Sequence, residues 1–194
     1  MQPIELPHIR NITISGRIGS GASTLANKLA DRLGWPILDG GKLFRKINEE
    51  LGYSITQTGM RPDHFDLEYE ERIKKMLRDE KQHIIQSHLA GFDAQGMQGV
   101  FKFLLVCEEG ETDVPAVRID RLVNRDGVSV EEAKFEVRER ERQHLDKFRR
   151  LYAKDDPEWV YWDKKYYDCV INTFTHNQSE VLRIALEELH IPAV

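Results

Sequence analysis

The stretch that decides the fold is ITISGRIGSGAST, residues 12–24. Its first residues alternate between apolar and polar and are rich in β-branched side chains, which predicts a strand over residues 10–16. Glycines follow, and leucines and alanines then recur at helical spacing, which predicts a helix over residues 22–33. Gly34 and Pro36 are typical of the end of such a helix. The predicted order is therefore strand, glycine-rich loop and helix.

The loop matches the phosphate-binding pattern G-x-x-x-x-G-K-[ST] at every position but one. Gly16 and Gly21 have the required spacing, and Ser23 stands where a hydroxyl would contact magnesium, but Ala22 stands where the pattern has lysine. In such loops, backbone N–H groups converge on phosphate oxygens, and the following helix adds the positive end of its dipole. The backbone part of a phosphate site is therefore predicted to be present without its usual movable cation.

Three interpretations of this loop stay open. In the first, another cation replaces the lysine, and Arg17 is the nearest candidate because it lies within the loop itself. In the second, the site binds a nucleotide but has lost catalysis. In the third, the glycines form only a tight turn, and the order of strand, loop and helix argues against that interpretation.

Chain length, net charge and hydropathy limit the kinds of molecule that this protein is expected to bind. The 194 residues suffice for one α/β domain, and a formal net charge of −5 does not indicate general nucleic-acid binding. Residues 1–5 lack the start of a signal peptide, and no apolar run could span a bilayer. We expect a cytoplasmic monomer or homodimer without nucleic-acid or membrane partners. No zinc site is predicted, because metal-ligand spacing is lacking at His8, His64, His83 and His190.

Predicted strands alternate with predicted helices along the chain, which favours a parallel sheet covered on both faces. Further strands are predicted at residues 36–39, 83–87, 101–107 and 167–172. Further helices are predicted at residues 42–51, 64–80, 114–124 and 130–152, and after Asn177. Loops are predicted at residues 53–63 and 91–99. We therefore predict a single α/β domain, residues 1–194, as a three-layer sandwich around a parallel, five-stranded sheet.

Several segments, in order, resemble the nucleoside monophosphate kinases, and most of all the cytidylate kinases of the short archaeal type and their bacterial relatives. The matching segments are the loop at 16–24, LDGGKLFR at 38–45, IIQSHLAG at 84–91, the arginine-rich segment from Arg118 with RDGVSVEEA at 125–133, and YDCVINT at 167–173. Many enzymes share the loop alone, whereas the ordered set covers nearly the whole chain.

The resemblance implies a P-loop NTPase fold with a helical acceptor-binding insert at residues 39–80 and an arginine-rich helical lid at residues 121–157. It also implies magnesium-dependent transfer of the γ-phosphoryl of ATP to a nucleoside monophosphate, most of all CMP or dCMP. The hydroxyl of Ser23 would hold the magnesium. ATP would be bound by Gly16, Arg17, Ile18, Gly19, Ser20, Gly21, Ala22, Ser23, Thr24, Arg121 and Arg125.

The same resemblance implies an acceptor site and a set of catalytic cations. Arg45 would hold the acceptor phosphate, and Asp39 and Gly40 lie where the family contacts the acceptor base. The acceptor-binding residues would be Asp39, Gly40, Arg45, His88, Gly91 and Asp146. The catalytic cations would be Arg17, Arg121, Arg140, Arg142 and Arg149.

An arginine–acid–arginine pattern of the lid fits this chain in two registers. The first register, Arg140, His144 and Lys147, departs from the pattern at two positions. The second register, Arg142, Asp146 and Arg149, matches it fully. The distance to Tyr152 favours the first and residue identity favours the second, so both stay open.

Four positions depart from the family. Ala22 replaces the loop lysine, Gln86 and His88 replace an acid and an arginine, and Gly40 lacks a small hydroxyl that some members place near the base. The change at His88 weakens the case for CMP as the acceptor. Two alternatives therefore stay open: a nucleotide-binding protein with little kinase activity, and a P-loop kinase for another small acceptor. The aromatic cluster at residues 159–167 is predicted to pack in the core or between subunits.

Overall fold

A computed structural model describes residues 3–50, 52 and 61–192. Its main sheet is parallel and has five strands: β1 (Asn11–Gly16), β2 (Ile37–Asp39), β3 (His83–Gln86), β4 (Val100–Val106) and β7 (Cys169–Asn172). Their order across the sheet is β2-β3-β1-β4-β7. The short strands β5 (Glu108–Glu109) and β6 (Thr112–Asp113) form a separate antiparallel pair that was not predicted. The predicted five-stranded parallel sheet is confirmed.

Helices cover both faces of this sheet. One face carries α1 (Ala22–Leu33) and α8 (Gln178–Glu188), whose apolar residues pack with those of β1 and β4. On the other face, α2 (Gly40–Glu50), α3 (Asp63–Asp79) and α4 (Ala90–Asp93) pack against Ile85 of β3. Burial of both faces of the central strands matches the predicted three-layer sandwich. No helix in the described ranges is long and apolar enough to cross a membrane.

The remaining helices lie beside the carboxyl ends of the strands. They are α5 (Pro115–Asp126), α6 (Val130–Phe135) and α7 (Glu141–Tyr152). Ile18 of the loop packs against Ile119 and Leu122 of α5 and against Val137. This packing places the loop directly beneath the predicted lid.

Local signals predicted several element boundaries correctly. Gly34 follows α1 with a left-handed φ of 69°, as expected for a glycine after a helix. Ser129 and Glu132 form the predicted capping box, and Asn177 caps α8. These signals succeed because they depend on residues within one turn of the helix end.

Two predictions of local structure need correction. The predicted loop at residues 91–99 begins inside α4, where Asp93 N–H donates to the Leu89 carbonyl at 2.8 Å. The predicted continuous helix 130–152 contains a π-helical turn at Glu136–Arg140. A π turn adds one residue to the helix and rotates the face presented by everything after it. Most of the predicted loop 53–63 lies outside the described residues.

Candidate functional site

The phosphate-binding loop connects β1 to α1, and two of its glycines have left-handed backbone angles. Gly19 has φ 79° and Gly21 has φ 99°, and a Cβ at Gly19 would lie 2.7 Å from the carbonyl oxygen of Arg118. Only glycine adopts such angles at no steric cost. No side chain caps α1, and its first turn has no acidic residue. The loop and the start of α1 are therefore suited to an anion.

Ala22, in the position of the missing lysine, is part of the hydrophobic core. Its side chain is buried and packs with residues of the sheet and of α8. Ser20 is also buried, and its carbonyl accepts a hydrogen bond from Thr173 at 2.9 Å. Packing and hydrogen bonds thus maintain the backbone geometry of the loop. The position that is usually a lysine contributes no charge, because it is alanine.

A large cavity of about 500 Å³ opens on one side of the loop. Gly19, Gly21 and Thr24 form its wall next to the loop. Leu25 of α1 and Leu105 of β4 also line it, and its other lining residues lie on α5 and around the start of α8: Asp120, Arg121, Leu122, Asn124, Arg125, Thr173, His176, Asn177, Gln178 and Val181. The structure therefore brings Arg121 and Arg125, both predicted from the sequence, to the same cavity as the loop.

Arg121 and Arg125 are anchored differently in this cavity. The Arg121 guanidinium donates to the hydroxyl and the carbonyl of Thr173 at 2.8 and 2.6 Å. Arg125 donates two hydrogen bonds of 2.6 Å to Asp126 and is half exposed. The pKa of Asp126 is held below its usual range by Arg125, and further by Arg45. Arg121 is therefore held in place by the end of the sheet, whereas the partner of Arg125 among the described residues is an exposed carboxylate, that of Asp126.

A second, smaller cavity of about 50 Å³ lies on the other side of Gly16. It is lined by Gly40, Gly41, Phe44, Arg61, Asp66, Glu70, Gln86, Ser87, His88, Leu89, Arg140, His144 and Phe148. His88 ties this cavity to the loop, because its Nδ1 lies 3.0 Å from the carbonyl oxygen of Gly16. Three of the residues predicted for the acceptor or for catalysis, Gly40, His88 and Arg140, meet here.

The structure brings only one of the two lid registers to the second cavity. Arg140, His144 and Lys147 are all buried, at 7, 6 and 5% exposure. In the other register, the side chains of Arg142 and Asp146 are 60% and 52% exposed and pair with each other at 2.8 Å. The π turn before α7 sets this orientation. Arg142 and Asp146 of the second register therefore point to solvent, away from the second cavity.

Two other predicted site residues, Arg149 and Gly91, lie outside the lining of both cavities. Arg149 donates through Nε to the carbonyl of Trp159 at 3.0 Å, which is a packing contact. Gly91 is buried beneath the ring of Tyr167, and its N–H donates to Ser15 Oγ at 3.1 Å. A side chain at Gly91 would collide with Tyr167, so this glycine serves close packing. The aromatic cluster itself packs in the interior, as predicted.

Asp39 and Arg45 lie at the entrance of the second cavity. Asp39 accepts a hydrogen bond from the backbone N–H of Lys42 at 2.9 Å, which holds the start of α2. Arg45 is exposed on α2, and its guanidinium lies close to Gly41, which lines the cavity. Arg45 thus has both the position and the freedom to meet an anion that enters.

Arg17, the expected replacement for the lysine, is held by carboxylates in this structure. It donates to Glu141 at 2.5 and 3.0 Å and lies 3.2 Å from Asp113. Its guanidinium also lies over the ring of Trp162, 4.4 Å from the centroid. To reach a bound phosphate, Arg17 would have to leave these partners.

Sequence reasoning missed Glu141, which connects the lid to the loop. Its carboxylate accepts the backbone N–H of Ile18 at 3.1 Å and the guanidinium of Arg118 at 2.9 Å, in addition to Arg17. Arg118 is 1% exposed and also pairs with Asp113 at 2.7 Å. The high density of arginine near residue 118 was the only sequence signal, and it did not identify the partner acid.

Buried charge at the second cavity changes the ionisation of three groups. Burial lowers the pKa of His88 and lowers that of His144 further, and the charge of Arg140 adds to both effects. Burial also raises the pKa of Glu70, helped by its neighbour Asp93. The neutral form of both imidazoles and the protonated form of the Glu70 carboxyl are therefore favoured relative to exposed side chains.

A glycine-rich loop between the first strand and the first helix of a parallel sheet with helices on both faces defines the P-loop NTPase type of fold. Solved structures share this fold, although their low identities support no more than the fold. Shikimate kinase from Acinetobacter baumannii matches with a TM-score of 0.54, 15% identity and coverage of 94% of this chain and 93% of that one. A gluconokinase from Sinorhizobium meliloti matches with a TM-score of 0.55, 16% identity and coverage of 96% and 94%.

Sequence comparison identifies the family. Residues 11–64 match the cytidylate kinase-like family. The cytidylate kinase of Ignicoccus hospitalis is 34% identical over 168 residues, which cover 84% of this chain and 88% of that protein. The cytidylate kinase of Methanopyrus kandleri is 30% identical over 185 residues, covering 92% and 93%. The chain belongs to the cytidylate kinase family and is an ATP-dependent phosphotransferase.

Proposed function

We propose that this protein is a nucleoside monophosphate kinase that transfers the γ-phosphoryl of ATP to CMP or dCMP. The observation that supports this most is the pair of cavities on opposite sides of Gly16, one large and one small. Two substrates held there would meet at the loop, as direct transfer between phosphates requires. The names of the most similar relatives support the choice of acceptor.

ATP fits the large cavity. Its phosphates would lie on the backbone N–H groups of the loop, and its nucleoside would extend between α5 and the start of α8. Arg121 and Arg125 line that space and supply positive charge. The anchored Arg121 is suited to hold a phosphate oxygen in place, because planar arginine donates two hydrogen bonds at once.

Magnesium would bind beside the loop at Ser23. The Ser23 hydroxyl lies 3.3 Å from the amide oxygen of Gln86. Both are neutral oxygen donors, which suits an ion that keeps several waters and takes its other ligands from phosphates. When bound, magnesium neutralises phosphate charge during transfer. Among the described residues, no group of three His, Cys, Asp or Glu could hold a metal on its own.

The polar lining of the small cavity suits a nucleoside monophosphate, and the cavity, at about 50 Å³, would have to widen to admit one. Among the described residues, the buried side-chain atoms of its lining that lack a hydrogen-bond partner include Nε of Arg140 and Nδ1 of His144. Unpaired buried polar atoms are costly, so they indicate a polar ligand. The raised pKa of Glu70 favours its protonated carboxyl, which can donate to a ring nitrogen and accept from an exocyclic amine, the pattern that cytosine presents. Arg140 and Arg45 would hold the acceptor phosphate.

The reaction then needs little more than positioning and charge. The loop would hold the donor phosphates and Arg140 the acceptor phosphate, with their oxygens in line. Transfer moves the γ-phosphoryl to an acceptor oxygen and leaves ADP, and the surrounding cations stabilise the charge that spreads over the equatorial oxygens. We further propose that the enzyme acts in the cytoplasm, as a monomer or homodimer, without nucleic-acid or membrane partners.

A panel of acceptors tests the proposal. With ATP and magnesium, we expect turnover on CMP and dCMP to exceed turnover on UMP, AMP and GMP, measured as ADP release. Shikimate and gluconate serve as non-nucleotide controls. Binding of ATP without turnover on any acceptor would instead support a nucleotide-binding protein without kinase activity. Turnover on a non-nucleotide would point to a kinase for another small acceptor.

Two amino-acid substitutions test the role of Arg17. If Arg17 moves from Glu141 to the donor phosphates, Arg17→Ala should lower kcat about a hundredfold, the usual cost of losing a donor to developing charge. Ala22→Lys should change kcat much less. Steady-state kinetics would be compared with those of Arg183→Ala, which alters only an exposed pair with Glu187. An unchanged kcat in Arg17→Ala would assign Arg17 to holding α7 instead.

A further inference from the structure

Each carbonyl group of the phosphate-binding loop, residues 16–21, accepts a hydrogen bond. Backbone N–H groups bond two of them: Ser20 N–H donates to the Arg17 carbonyl at 3.0 Å, and Leu25 N–H donates to the Gly21 carbonyl at 3.1 Å. Side chains bond the other four: His88 at Gly16 (3.0 Å), Arg118 at Ile18 (2.7 Å), Arg121 at Gly19 (3.5 Å) and Thr173 at Ser20 (2.9 Å). The carbonyls of the loop therefore face the protein around it.

The orientation of these carbonyls determines where the N–H groups of the loop point. The C=O of one residue and the N–H of the next belong to one planar trans peptide and point in opposite directions. A donor on the Ile18 carbonyl therefore turns the Gly19 N–H away from that donor. A donor on the Ser20 carbonyl does the same for the Gly21 N–H. Among the described residues, neither glycine N–H has an acceptor, so both are available to phosphate oxygens.

Arg118 is the most buried of the four side-chain donors, at 1% exposure. One terminal nitrogen of its guanidinium donates to the Ile18 carbonyl at 2.7 Å and to Glu141 at 2.9 Å. The other donates to Asp113 at 2.7 Å. The main chain of Arg118 also packs against Gly19, where a Cβ would collide with the Arg118 carbonyl oxygen. Arg118 thus contacts both residues of the peptide that carries the Gly19 N–H.

The two acids that hold Arg118 are also the two that hold Arg17. Arg17 lies 3.2 Å from Asp113 and donates to Glu141 at 3.0 Å. If Arg17 moves to the donor phosphates, both carboxylates lose a cation, and a buried carboxylate without a partner is costly. Arg118 stays bonded to both of them. Its planar fork of donors suits this bridging role, because it reaches several acceptors at once.

We propose that Arg118 is a positioning residue for phosphoryl transfer. It turns the peptide between Ile18 and Gly19 so that its N–H faces the donor phosphates, and it holds Asp113 and Glu141 while Arg17 is on the phosphates. Arg118 acts through the loop, since it lies outside the lining of both cavities. This inference rests on the part of the proposed function that places the phosphates of ATP on the loop, and it does not depend on the acceptor.

Arg118→Gln tests the inference by removing the charge and the fork of donors. We expect Kd for ATP with magnesium, measured by calorimetry, to rise at least about tenfold, the cost of one hydrogen bond to a charged group. We expect kcat to fall about a hundredfold, the effect of misplacing the reacting groups by about 1 Å. KM for CMP should stay close to that of the wild type. An equal loss of affinity for ATP and CMP would indicate general structural damage and overturn the inference.

Arg118→Lys provides a second test if Arg118→Gln does not fold. Lysine keeps the positive charge, but its single ammonium lacks the fork that bonds the Ile18 carbonyl and both acids. Kd for ATP should still rise at least about threefold, the cost of a weakened hydrogen bond. A folded Arg118→Lys with the Kd of the wild type would overturn the inference. If neither variant folds, NMR of the wild type decides, because an unmoved Gly19 N–H resonance on addition of ATP would also overturn it.

Leu33→Ala is the control for stability. Leu33 is buried at the far end of α1 and has no contact with the loop carbonyls, so its truncation weakens the core without changing their donors. We expect Kd for ATP and KM for CMP to match those of the wild type, although urea unfolds the variant at a lower concentration. A rise in Kd for ATP as large as that of Arg118→Gln would attribute the effect to stability and contradict the positioning role.

Failure of the proposed function gives a different result. If the wild type binds ATP but phosphorylates no nucleoside monophosphate, the proposed function fails, and the comparison of Kd values for ATP still tests Arg118. If the wild type does not bind ATP, both proposals fail. Turnover on CMP with an unchanged Kd for ATP in both Arg118 variants refutes only the role of Arg118.

Discussion

Arg140→Gln is expected to lower kcat/KM for the acceptor by at least about a hundredfold, because it removes a buried cation from the wall of the acceptor cavity. Arg140 is 7% exposed, and its only charged partner given by the structure is Glu136, at 2.5 Å. Its Nε has no partner among the described residues, which leaves it available to a ligand. Steady-state kinetics with ATP and CMP measure the effect.

Arg142→Gln is the matched control for this experiment. Arg142 lies two positions further along the chain, and its side chain is 60% exposed and pairs with Glu139 and Asp146. Exposed pairs of this kind contribute little to stability, so kcat/KM should stay within a few-fold of wild type. A large loss in Arg142→Gln together with normal activity in Arg140→Gln would favour the second lid register and contradict our placement of the acceptor phosphate.

Glu141→Ala is expected to lower the free energy of unfolding by about 3–5 kcal/mol, the usual cost of removing one partner from a buried ion pair. The Glu141 side chain is 5% exposed and holds two arginines and the Ile18 N–H. Without it, Arg118 would keep only Asp113 as an acidic partner, and the first half of the loop would lose its link to α7. Urea unfolding measures the change.

Glu139→Ala separates this effect from a general loss of negative charge on the same helix. The Glu139 side chain is 39% exposed and pairs with exposed Arg142, so its loss should lower the free energy of unfolding far less than the loss of Glu141. We also expect Glu141→Ala to raise KM for ATP more than KM for CMP, since Glu141 contacts the loop. A stability loss in Glu141→Ala no larger than that of Glu139→Ala would show that the network is unimportant.

The two lid registers illustrate where sequence reasoning reaches its limit. The second register has the better residue identities, yet Arg142 and Asp146 face solvent. Which side of a helix faces inward depends on its rotation about its axis, and the π turn at Glu136–Arg140 changes that rotation without a proline or glycine to indicate it. The distance to Tyr152, a weaker clue, favoured the register that the structure brings to the cavity.

The sequence by itself determined the phosphate loop, the strand order along the chain and most helix ends. These features arise from local rules: glycines at positive φ, capping side chains and apolar periodicity. Only the tertiary structure decided which cations face the cavities. Glu141 meets Arg17 across 124 positions of sequence, and His88 meets His144 between a strand end and a lid helix. Such contacts depend on how elements far apart in the sequence pack together. Local sequence patterns do not predict that packing.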